Sequence, residues 1–81
     1  MKFFKGKAYP EVISGFTESG AMMCIIGQVH ELLAMKLIEN ENTEGNLDKW
    51  LMIDRTGRVF EFDTKKEAKE AAIQKFDSVA H

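Results

Sequence analysis

Few side chains in this sequence are of a kind and spacing that does chemistry. Cys24, His30 and His81 are the whole inventory of soft metal ligands and classical nucleophile or base partners. No Cys-x-x-Cys or His-x-x-x-His spacing occurs, so a zinc site would need ligands from a second subunit. Cys24 and His30 suggest a thiol with a base. If both lie on one helix, six residues turn through 600°, which leaves them about 240° apart around the axis and unable to meet. Cys24 then reads as a small apolar residue and His30 as a polar flank. Gly15 and Gly20 have the glycine spacing of a phosphate-binding loop, but Ala21-Met22 stands where Lys-Ser/Thr would hold phosphate and Mg²⁺. Glu61 and Asp63, two apart, share one side of a strand as acid/base carboxylates do, yet such a pair on a solvated strand is ordinary. The sequence predicts no catalytic residue, metal or cofactor.

Two segments have the chemistry of binding instead. Lys2, Lys5 and Lys7 alternate with Phe3, Phe4 and Tyr9, which resembles the stacking surface and positive groove of single-strand nucleic-acid binders. The rival reading gives those aromatics to the core, with the lysines guarding an edge strand. Glu39, Glu41, Glu44 and Asp48 fall within ten residues with no basic residue before Lys49, a local negative field able to steer a basic partner. Trp50 beside them suits an interface anchor if it is exposed. Met22, Met23 and Met35 offer an adaptable surface, with Met22 expected in the core and the other two at its margin.

These residues have to be held by 81 residues with 44% hydrophobic and 30% charged content, the balance of one globular domain, 1–81. Eleven basic and thirteen acidic residues give a net charge of −2, too near neutral to argue for a polyanionic partner. A lone cysteine permits no internal disulfide and fits the reducing cytoplasm. No run is apolar enough to cross a bilayer or to serve as a signal peptide. A core this small leaves room for self-association as a homodimer.

The expected architecture is α+β. Pro10 pushes Tyr9 into extended backbone, so the N-terminus reads as a strand or arm. Val12, Ile13 and Phe16 around Gly15 leave strand and helical turn both open. From about 20 to 39, Met22, Ile25, Ile26, Val29, Leu32, Leu33 and Leu37 fall on one face at 100° per residue, predicting an amphipathic helix with Thr17 or Ser19 as its N-cap. Gly27 and the Ile25-Ile26 pair favour the rival, a strand over 21–26 followed by a shorter helix. Segment 39–46 reads as a loop. Residues 49–62 read as a β-hairpin turning at Asp54-Arg55-Thr56-Gly57, with Phe60 and Phe62 on one face. Thr64-Lys65-Lys66-Glu67 is a capping box that opens a helix over about 65–79, with Ala68, Ala72, Phe76 and Val79 as its stripe. The whole reads as β-α-β-β-α, a small antiparallel sheet covered by helices on one face.

Such a fold specifies no function. With no convergent chemistry, the expectation is a non-catalytic protein-binding or regulatory module of the accessory or inhibitor kind found in bacteria and phages. Glu39, Glu41, Glu44, Asp48 and Trp50 are its expected contacts. Two alternatives remain: a nucleic-acid-binding module using Lys2, Phe4, Lys5, Lys7 and Tyr9, and a small enzyme or subunit whose site forms between chains.

Overall fold

The computed structural model describes residues 1–38 and 48–77. The fold is α+β: the described residues form a five-stranded antiparallel sheet with two helices. The strands are β1 (Lys2–Lys5), β2 (Ile13–Phe16), β3 (Met22–Gln28), β4 (Trp50–Asp54) and β5 (Val59–Phe62). Their order in the sheet is their order in the chain, with β1 and β5 as the edges. Helix α1 (Val29–Ala34) interrupts this meander after β3, and α2 (Lys65–Asp77) follows β5.

The long helix expected over 20–39 is corrected: the rival reading holds, with a seven-residue strand and a six-residue helix. The physical reason lies in the position of β3 at the centre of the sheet. Cys24 and Ile26 pack on one face with Ala68 and Ala72 of α2, while Ile25 packs on the other with Val29 and Leu32 of α1. A strand covered on both faces is apolar without alternation, and such a run also fits a helical stripe. Met22, placed at the centre of that stripe, is instead 46% exposed at the start of β3. Thr17 and Ser19 cap no helix. The Ala21 N–H donates to Thr17 Oγ1 at 3.2 Å, and Thr17 and Ser19 share a hydrogen bond of 2.8 Å, closing the β2–β3 turn.

The helices do not share a face, as the sequence reading had them. α2 covers one side over Ile13, Cys24, Ile26 and Met52, joined by Phe3, Trp50, Phe60 and Phe62. α1 sits on the other over Leu51 and Val12. Gly27 is what lets α1 lie so close: a Cβ there would stand 2.9 Å from Val12 Cγ2 and 3.1 Å from Leu32 Cδ2.

The hairpin and the capped helix form as their local chemistry dictates. The Gly57 N–H donates to the Asp54 carbonyl at 3.0 Å, with Gly57 at φ +90°, a three-residue loop closed by a glycine bulge. Asp54 Oδ1 accepts from the N–H groups of Thr56 and Arg58, both at 2.9 Å, and from Thr56 Oγ1 at 2.6 Å. The Thr56 hydroxyl first, then these amides, holds the Asp54 carboxyl below its ordinary pKa. Thr64 Oγ1 accepts from the Glu67 N–H at 3.1 Å, and α2 begins at Lys65.

Candidate binding face of the sheet

The sheet's two faces are unequally dressed because the two helices are unequally long. α2 has thirteen residues and α1 six. A helix rises about 1.5 Å per residue, so α1 spans roughly 9 Å and covers only the part of its face near Gly27 and Leu51. On this face cross-strand pairing lines up one residue per strand: Phe4 opposite Ser14, Ser14 opposite Ile25, Ile25 opposite Ile53, and Ile53 opposite Val59, with Ile25 and Ile53 at the margin of the α1 cluster. This row crosses all five strands. Its ends are open, with Phe4 55% and Val59 50% exposed. Phe16 lies beside Phe4 edge-to-face, ring centroids 5.4 Å apart. Arg55 reaches Met23 at 4.0 Å, beside a hollow of about 50 Å³ bounded by Ile25, Ile53 and Asp54.

A larger cleft, about 280 Å³, lies at the β5 end of the same face, lined by Ile38, Leu51, Val59 and Glu61. Its walls come from the turn after α1 and from β4 and β5, so the short helix creates it by stopping early.

On the opposite face α2 and its lysines lie over the sheet. Lys65 stands over Trp50 at 5.6 Å, Lys69 over Phe3 at 5.1 Å and Lys75 over Phe60 at 4.6 Å from the ring centroids. Each lysine thus sets its ammonium over the face of an aromatic ring, a cation–π contact.

Of the residues expected to bind, Glu39, Glu41 and Glu44 lie outside the described residues. Asp48 is exposed. Trp50 is half-buried and packed against the α2-side core beneath Lys65. Lys2, Lys5 and Lys7 are exposed with Phe4, whereas Tyr9 is half-buried against the α1-side core. Cys24 and His30 do not lie on one helix: Cys24 is buried on the α2 side and His30 is exposed on α1. Burial, ahead of the Asp54 charge, pushes the Cys24 thiol up to about 11, which keeps it protonated and a poor nucleophile. Glu61 is exposed in the cleft, while Asp63 accepts a hydrogen bond from Lys49 across the base of the hairpin. That contact raises the Lys49 pKa. Gly15 is buried in β2, where a Cβ would stand 2.9 Å from Cys24 Sγ, so close strand packing accounts for it. Among the described residues, no three His, Cys, Asp or Glu side chains gather as metal ligands.

The sequence reading missed the open row. Its members come from five separate strands, and only the alternation of Lys2-x-Phe4 and Val59-x-Glu61 hinted at their shared side.

Fold and site define a small α+β meander domain with one face partly undressed. Comparison with protein-family models, curated proteins and solved structures gives no match. Among the described residues, no helix is long and apolar enough to cross a membrane.

Proposed function

We propose that the chain is a non-catalytic protein-binding module that docks a partner on the sheet face left open by α1. The observation that carries this reading is the row from Phe4 to Val59, half-exposed at both ends. Phe4 with Phe16 at one end and Val59 beside the cleft at the other put exposed apolar surface on one face, and such patches mark interaction sites. The cytoplasm is the proposed compartment, since the one cysteine is a buried free thiol.

The test places a photo-reactive amino acid at Phe4, at Val59 or at Glu70 on the outside of α2, and irradiates each protein in source-cell lysate. Adducts of one defined mass from the first two positions and none from Glu70 are expected. Equal labelling from all three would end the proposal.

A second reading has its own observation: exposed Lys2 stands two residues from the open Phe4 ring on the same face of edge strand β1, with Phe16 beside it. Binding of single-stranded oligonucleotides that weakens steeply with salt, with Phe4→Ala removing it, would select nucleic acid instead.

A further inference from the structure

Edge strand β5 offers more than exposed apolar surface. Among the described residues it pairs only with β4, leaving its outer backbone row without a strand partner. Which groups point outward follows from the ladder. The Asp54 N–H donates to the Arg58 carbonyl at 2.9 Å, so Asp54 and Arg58 form a hydrogen-bonded pair. Alternation then turns the backbones of Phe60 and Phe62 toward β4 and those of Val59 and Glu61 outward. Val59 and Glu61 are also the β5 residues whose side chains line the 280 Å³ cleft. Outward backbone groups with no strand partner among the described residues, an apolar cleft and a carboxylate thus occur on the same two residues.

We propose that this edge takes an extended segment of the partner protein as a sixth, antiparallel strand. In it a Lys or Arg faces Glu61, and a long apolar side chain two residues later sits beside Val59 and reaches the cleft against Ile38 and Leu51. Strand addition of this kind draws affinity from the main chain and specificity from alternate side chains. Charge sets the sign of the partner. Glu61 is exposed, and Lys49, which feels its charge, gives its hydrogen bond to Asp63 and leaves the Glu61 carboxylate open to a second cation. The opposite edge, β1, carries Lys2 and Lys5 and repels a basic strand. A second copy adding its own β5 about a two-fold axis would set Val59 against Glu61 and bring that carboxylate no cation.

This inference rests on the protein-binding reading, and the two fail separately. The probes are the capped peptide Thr-Thr-Lys-Thr-Leu-Thr-Thr and its twin with Glu in place of Lys. Binding is followed by fluorescence anisotropy, and amide exchange is read by NMR on the full chain. The lysine peptide is expected to bind roughly fivefold to tenfold more tightly, as a cross-strand pair turned from attraction to repulsion implies. It should slow exchange at the Val59 and Glu61 amides. Glu61→Lys should reverse the preference. Val59→Pro, which removes an outward donor and leaves the β4 ladder intact, should abolish binding with an unchanged circular dichroism spectrum. Equal affinity for the two peptides, protection at β1 instead, or no saturable binding would overturn the sixth strand. Crosslinks to a partner from Phe4 and Val59 alongside any of those results would leave the protein-binding reading standing.

Discussion

Substituting Gly27 by alanine probes whether α1 is seated on the sheet as closely as described. Gly27 sits in β3 opposite Leu51, and the added methyl would meet Val12 Cγ2 at 2.9 Å, Leu32 Cδ2 at 3.1 Å and Leu32 Cγ at 3.4 Å. Val12 and Leu32 are buried side chains of one cluster, with no free end to swing away. Overpacking of this sort costs about 1–3 kcal/mol. Replacing a glycine inside a strand returns roughly 0.5–1 kcal/mol of backbone entropy. The net expectation for Gly27→Ala is a loss of about 1–2 kcal/mol. Urea melts at neutral pH measure it as a lowered midpoint with an unchanged slope. Leu32→Ala alone should cost roughly 2–5 kcal/mol, since that side chain is fully buried. Combined, the two should be less harmful than their sum by about 1 kcal/mol, because the new methyl occupies space the leucine has left. A Gly27→Ala protein as stable as the original, or strict additivity, would refute this packing of α1.

Three further outcomes follow from contacts already described. Thr64→Ala should cost about 1 kcal/mol in the same melts by removing the acceptor of the Glu67 N–H. Phe60→Ala should cost about 2 kcal/mol, below the 3–5 kcal/mol range of a fully buried phenylalanine, since its ring is half-buried under Lys75. Cys24 has its folded pKa raised above the unfolded value, so the unfolded state loses its proton first. The stability it confers is therefore present below about pH 9 and lost toward pH 11. Melts at pH 7 and pH 10 should show a steeper decline for the native protein than for Cys24→Ala, and parallel declines would contradict the burial of the thiol.

Where the chain's shape is decided within a few residues, the sequence was sufficient. Asp54 and Gly57 specify their turn through side-chain acceptance and a positive φ, and Thr64 specifies the start of α2 through its hydroxyl. The central strand was harder. Cys24-Ile25-Ile26 is buried from two sides by helices far apart in sequence, and that erases the alternation by which a strand is recognised. Gly27 was the truthful local signal, and its reason, the close approach of Leu32 and Val12, exists only after folding. The candidate site was less legible still. Phe4 and Val59 stand at opposite edges of a five-stranded sheet, and their alignment depends on four successive strand registers. Trp50 shows how little a residue type says about its surroundings: its place beneath Lys65 and against the α2-side core depends on a helix that follows it by fifteen residues or more.

The central claim is that the face left open by α1 is where a partner docks. The most direct measurement compares two double variants in partner capture and thermal melting: Phe4→Ser with Val59→Thr on the open face, and Glu70→Ser with Ile73→Ser on the outside of α2. Ile73 is 41% exposed and makes a matched apolar control. The account predicts that both variants melt within a few degrees of the native protein, and that only the open-face pair loses the crosslinked partner. Retention of the partner by the open-face variant, or its loss from the α2 variant, would contradict the claim.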